Sequence, residues 1–313
     1  MFWRSKNMKN FKLWILSFFF CLALGVFCFF YFSQSNASCP SLLYGKMKMK
    51  RASSCLPVLE VEIENKKIPV ILDLGFSGYT VFDNLFVHGM SDKQFLRQSW
   101  KYGFRGIKRY HDVYRIPKMR IGDLTYTNLE VNERDPAFNE ESTVFLDKEK
   151  FVPDPFVLGG EIGWMLFNNL ILFLDMKQSK MVVCGSLEKF EKAEHSLKSY
   201  TKTPLMMDRD LVEIETVTSH GVVKCLLDTG CTCNFINTGH STDEPLERIV
   251  RNESGFTTLT SFKIGEHDFG PVSFRPLPIQ LPINIQAILG MEFFDQHRVL
   301  IDFKNRQAYF AKN

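Results

Sequence analysis

Two phrases in this chain say nearly the same thing. ILDLGFSGYTVF runs from Ile71 to Phe82, and LLDTGCTCNFI from Leu226 to Ile236. Each is a hydrophobic run that ends in Asp-x-Gly and then re-enters an apolar stretch. The parallel continues in the same order. RIGDLTYTNLEV (Arg120 to Val131) matches KIGEHDFGPVSF (Lys263 to Phe274) through Ile121-Gly122 and Ile264-Gly265. IGWMLFNNLILFLDMKQSKMVV (Ile162 to Val183) matches LGMEFFDQHRVLIDFKNRQAYF (Leu289 to Phe310) without a gap, with Gly163 on Gly290 and Asp175 on Asp302. Three ordered matches make the chain an internal duplication. Whatever one unit folds into, the other must also fold into.

The units span residues 55–186 and 208–313, joined by a charged, partly helical-looking linker, 187–207. Each reads as β-structure. VLEVEIENKKIPVILDLG alternates, turns at Asn65-Lys66-Lys67, and runs apolar into Asp73. LVEIETVTSHGVVKCLLDTG does the same with a turn at His220-Gly221. VLIDFKNRQAYF and LILFLDMKQSKMVV both read as hairpins. Short strands with little sign of long helices predict an all-β fold of two small barrels. Unit one is longer, largely through the polar, Pro-containing segment NERDPAFNEESTVFLDKEKFVPDP, a surface insertion.

Leu13 to Phe32 is an uncharged apolar run preceded by Arg4, Lys6, Lys9 and Lys12, long enough to span a bilayer. Residues 1–36 therefore read as a retained signal anchor, with 37–54 a basic linker. Ser35-Asn36-Ala37 leaves a cleaved signal peptide open as the alternative. The expectation is a single-pass protein with its body extracytoplasmic. The formal charge of +3 comes from the first 51 residues, which hold eight Lys/Arg and no Asp or Glu. The remainder holds 30 Lys/Arg against 35 Asp/Glu. No basic stripe suits nucleic acid. Of eight cysteines, six lie outside the apolar run, in a spacing that fits no disulfide scaffold and leaves pairing open. Cys231-Thr-Cys233 lacks a second half-site for zinc. No His-Glu-x-x-His helix and no phosphate loop is present, and GFSGY has Tyr79 where a nucleophile elbow needs glycine.

One Asp-Thr-Gly alone is a turn. Following a strand, repeated as Asp-Leu-Gly, and matched downstream by EIGWMLF and AILGMEFF, it resembles the aspartic proteases of the pepsin and retropepsin type. The resemblance covers nearly everything after residue 55. It implies two homologous β-barrel lobes with a cleft between them and a catalytic pair, Asp73 and Asp228. Two carboxylates about 3 Å apart cannot both ionise readily, so they share a proton. One then activates a water while the other protonates the scissile carbonyl. Gly75 and Gly230 would let the two loops approach, and Gly163 and Gly290 would pack beside them. Thr229 would brace the loops across the interface. A flap hairpin is expected in SWKYGFRGIKRYHDVYRI, with Tyr102-Gly103 near its tip and Tyr110 the other aromatic available. No metal or organic cofactor is implied. The partner is a peptide or protein substrate, and with both lobes in one chain a monomer suffices.

Unit one departs from that pattern. Leu74 stands where the brace wants Thr, so Thr229 is expected to lose a buried hydrogen bond, worth about 0.5–1.5 kcal/mol. Phe76 and Cys231 occupy a position that is usually Ser or Ala, and Glu161 replaces the first apolar residue before Gly163. Two readings follow. The chain is an active, unusual aspartic endopeptidase, or an inactive relative that binds or scaffolds.

Overall fold

The computed structural model describes residues 44–51, 55–102, 108–134, 158–207, 211–238, 255–277 and 285–313. The first unit contributes β1 (Tyr44–Lys48), β2 (Lys50–Arg51), β3 (Pro57–Ile63), β4 (Lys66–Asp73), β5 (Thr80–Asp83), β6 (Gln94–Tyr102), β7 (Lys108–Ile121), β8 (Leu124–Arg134), β9 (Gly160–Gly163), β10 (Ile171–Asp175) and β11 (Lys180–Cys184). Then follow β12 (Thr201–Pro204), β13 (Glu213–Thr218), β14 (Gly221–Leu227), β15 (Phe235–Asn237), β16 (Thr257–Leu259), β17 (Phe262–Ile264), β18 (His267–Asp268), β19 (Val272–Leu277), β20 (Ala287–Leu289), β21 (His297–Asp302) and β22 (Gln307–Lys312).

The alternation read in VLEVEI becomes β3, with Leu59, Val61 and Ile63 buried and Glu60 exposed. Its hairpin turns one residue earlier than expected. Ile63 pairs with Lys66, leaving a two-residue loop of Glu64 and Asn65, both at positive φ (49° and 62°). That is the turn whose twist matches the flanking strands, and Asn tolerates it well. Each unit then builds the same knot of strands around its Asp loop. In the first, β9 lies between β4, which it meets in parallel, and β5, which it meets antiparallel. In the second, β20 lies between β14 and β15 with the same senses. The units form two eight-stranded sheets, ordered β2-β3-β4-β9-β5-β8-β7-β6 and β16-β19-β15-β20-β14-β13-β17-β18.

A third, six-stranded sheet joins them, ordered β1-β11-β10-β21-β22-β12. Its centre is the β10–β21 pair, in which Phe173 faces Leu300. These two residues also fall on each other in the aligned repeat, so the approximate twofold axis of the duplication passes between them. Both are buried, as are the flanking Leu172, Leu174, Val299 and Ile301. The repeated Asp175 and Asp302 are turn-formers. Asp175 Oδ1 accepts from Gln178 N, and Asp302 accepts from Asn305 N and Nδ2.

The segments read as linkers are built into the sheets. Residues 44–51 form β1, paired with β11, and β2, paired with β3. Arg51 hydrogen-bonds the carbonyl of Cys55 and the carboxylate of Asp295. Within 187–207, a helix (Leu187–Ala193) capped by Ser186 packs Phe190 into the cluster around Phe173, and β12 closes the edge beside β22. Among the described residues no helix is long and apolar enough to cross a membrane. The apolar run Leu13–Phe32, the small-residue site at 35–37 and most of the 132–155 insertion lie outside the described residues.

Candidate active site

Asp73 ends β4 and Asp228 follows β14, each where an apolar strand breaks into an Asp-x-Gly turn. The turns are locally similar. Gly75 N and Phe76 N donate to Asp73 Oδ1 (2.8 and 3.1 Å), and Gly230 N donates to Asp228 Oδ1 (2.9 Å). A carboxylate that caps its own turn in this way is held in one rotamer. The two turns meet. The carboxyl groups of Asp73 and Asp228 share a hydrogen bond.

The glycines explain how they can. A Cβ at Gly75 would lie 2.5 Å from Asp228 Cγ, and one at Gly230 would lie 2.4 Å from Asp73 Cγ. Each glycine thus forms the wall behind the other unit's carboxyl, and no larger residue leaves that carboxyl its place. Gly163 and Gly290 serve from behind. A Cβ at Gly163 would sit 2.2 Å from Gly78 O, and at Gly290 2.1 Å from Cys233 O. Gly163 is also the ladder partner of Asp73.

The brace differs from expectation. Thr229 loses no hydrogen bond by facing Leu74. Its Oγ1 donates to Leu72 O (2.6 Å) and accepts from Leu74 N (3.1 Å), all buried. Its partners are backbone atoms, which any residue at 74 supplies. The loss falls on the other side, since Leu74 has no hydroxyl to return the same pair of bonds towards Leu227 and Thr229. Leu74 is instead fully buried.

Behind the second loop, Asn234 accepts from Gly290 N (2.9 Å) and donates to Ser273 O (3.2 Å). In the first unit a backbone carbonyl, Tyr79 O, takes the amide of Gly163 (3.0 Å). Nothing in the spacing of CNFI marks Asn234 for this task. Cys231 Sγ donates to Cys233 O (3.2 Å), and burial, then Asp228, holds its thiol well above the ordinary thiol range. The five described cysteines, Cys55, Cys184, Cys225, Cys231 and Cys233, are unbridged.

Burial raises both carboxyls of the pair. Asp73 is held well above the usual carboxylate range, first by burial, then by Asp228 and by Glu161. Asp228 is raised by burial too, while the hydrogen bond from Asp73 works in the opposite direction. Two buried carboxyls held this close favour a state in which the pair shares a single proton.

The hairpin expected as a flap is formed by β6 and β7, which stay paired out to Tyr102 and Lys108. Tyr102 is the last residue of β6. Its side chain, Gly103 and the tip lie outside the described residues. Tyr110 pairs with Trp100 lower on the hairpin, and both are exposed.

No protein-family model matches the chain, and no curated protein does. Among solved structures, the crystal structure of an aspartic proteinase from Irpex lacteus is similar at a TM-score of 0.56 and 14% identity. The match covers 86% of this chain and 97% of that one. The fold is that of a pepsin-like aspartic proteinase. At such low identity the likeness establishes the fold alone. Within a pepsin-like frame, Asp73 and Asp228 occupy the two strand-to-loop corners that the duplication brings together. Among the described residues, no group of His, Cys, Asp and Glu could hold a metal ion.

Proposed function

We propose that the chain is a membrane-anchored aspartic endopeptidase that hydrolyses peptide bonds through Asp73 and Asp228. The observation that carries the reading is the hydrogen bond between these two buried carboxyls, each backed by the other unit's glycine. Such an arrangement is costly for folding, because a buried carboxyl pair that holds one proton keeps one charge out of water.

The pair suits the chemistry. Asp228, ionised, takes a proton from a water in the cleft, and the water oxygen bonds to the scissile carbonyl carbon. Asp73 gives its proton to the carbonyl oxygen, producing a neutral gem-diol. The pair then gives its proton to the amide nitrogen, the C–N bond breaks, and a gem-diol hydroxyl returns a proton to the pair as the new carboxylic acid forms, so the pair is again in its single-proton state. The substrate is an extended peptide that lies between the units under the β6–β7 hairpin. The apolar run at 13–32, with its basic flank, would hold the body at a membrane on the extracytoplasmic side. A single chain completes the site, so the proposed active form is a monomer.

The test uses the full chain in mild detergent, a mixed peptide library, and pH from roughly 3 to roughly 8, beside Asp228→Asn. Cleavage that disappears in the variant is the expected result. A folded protein that cleaves nothing at any pH overturns the peptidase reading in favour of a binding or scaffolding module. Activity gained by Leu74→Thr with Phe76→Ser would then locate the cause in the first loop.

A further inference from the structure

The first unit carries a charged row that the second does not. In the parallel β4–β9 ladder, Ile71 pairs with Glu161 and Asp73 with Gly163. Paired residues project to the same face of a sheet, so Glu161 and Asp73 share a face as diagonal neighbours, about 7–8 Å apart. The intervening Leu72 and Ile162 point into the core. On its other side Glu161 pairs with Val81, and Asp83, two residues on, shares that face and pairs with Arg134 of β8. Arg134 closes the row. Its Nη2 lies 2.6 Å from Glu161 Oε1, and its Nε 3.1 Å from Asp83 Oδ1. The three side chains are only 14% (Glu161), 11% (Arg134) and 24% (Asp83) exposed. Two carboxylates and one guanidinium leave the row net negative beside the pair.

The second unit is an internal control. The same ladders place Ile288, Asn237 and Leu277 where the first unit has Glu161, Asp83 and Arg134. Ile288 is buried and Leu277 packs against its cluster. The fold thus accepts neutral residues at all three positions, and the charges answer to something other than folding. A nearly buried ion pair seldom stabilises more than the apolar pair it replaces.

We propose that Glu161, clamped by Arg134, is a positioning residue that keeps the shared proton on the Asp73/Asp228 pair to higher pH than the pair would hold it unaided. The charged groups around Glu161 are Asp73 from β4, Asp83 from β5, Arg134 from β8 and Asp228 from the opposite unit. Among these described residues Arg134 is the cation, and it is divided between two carboxylates. A fixed negative charge diagonal to Asp73 opposes its ionisation. Glu161 is also one of the groups raising Asp73 and Asp228. A proton-sharing pair acts only while it retains one proton, so Glu161 would extend the working range upward.

The inference rests on the proton-sharing reading of the pair, and its test does not require cleavage. The full chain in detergent, with 13C at aspartate side-chain carboxyls, would be titrated by NMR, with Asp73→Asn and Asp228→Asn supplying the assignments. Glu161→Gln removes the charge and keeps the shape. Glu161→Ile with Asp83→Asn and Arg134→Leu copies all three residues of the second unit, leaves the row neutral and guards against loss of folding. In both, the pair's last proton should leave at lower pH, by about one pH unit. Titrations that superimpose on the unaltered protein in both variants overturn the proposal. A downward shift without peptide cleavage supports it while the peptidase reading fails. Cleavage with an unmoved titration and an unmoved upper pH limb sustains the peptidase reading and sinks this one.

Discussion

Thr229 shows how much one hydroxyl can hold at the residue scale. It is buried, and it both donates to and accepts from the backbone of the opposite loop. Thr229→Val keeps the volume and strands Leu72 O and Leu74 N without partners. The expected loss is about 2–3 kcal/mol of stability, read as a lower urea midpoint at unchanged slope. Leu74→Ala should fail differently. It leaves the backbone bonds of Thr229 intact but opens a cavity, at about 2–5 kcal/mol. Equal losses for Thr229→Val and Thr229→Ser would show that the hydroxyl is not what matters, since Ser retains it. The Asp-x-Gly phrases were legible as a pair from sequence. The hydroxyl's true partners were not, because a motif names side chains and the brace is made to backbone atoms. Asn234 escaped for a related reason. Its counterpart in the first unit is a carbonyl, which has no residue signature.

At the scale of elements, the β10–β21 pair joins the two halves, and Phe173 and Leu300 sit at its centre. Leu300 is wholly buried, in a cluster with Phe173, Val182 and Phe190. Leu300→Ala should therefore cost about 2–5 kcal/mol, and the loss should appear in both halves together in hydrogen exchange. Exchange that rises in only one half would mean the six-stranded sheet does not couple them. The hairpins were readable because period-two alternation and turn residues are local signals. The segments 37–54 and 187–207 read as linkers, yet parts of both are edge strands. A strand of two to five residues punctuated by Lys carries too short a pattern to distinguish from a charged linker. It becomes a strand only because β11, β3 and β22 offer it an edge.

Over the whole molecule, the buried pair links stability to pH. Both carboxyls titrate above their ordinary values in the folded state. The folded protein therefore binds more protons than the unfolded chain across that interval. The pair's contribution is fully present below the unfolded carboxyl range, near pH 4, and is lost as pH rises through the folded values. Asp73→Asn with Asp228→Asn removes this term. The double variant should lose less Tm than the unaltered protein between about pH 4 and about pH 7, and should be the more stable of the two at neutral pH. Parallel Tm curves would mean that the two carboxyls are not raised by burial.

The sequence alone determined that the chain is duplicated, that it is built of strands, and which aspartates and glycines stand at matching places. Those features are periodic or repeated, and repetition is visible along a line. Tertiary structure decided what lies across from what. It brought Asp73 and Asp228 into one hydrogen bond, gave the wall behind each carboxyl to the other unit's glycine, and set Glu161 and Arg134 in a row beside them. Each of these contacts joins residues far apart in the chain, and only the pairing of strands fixes their distance.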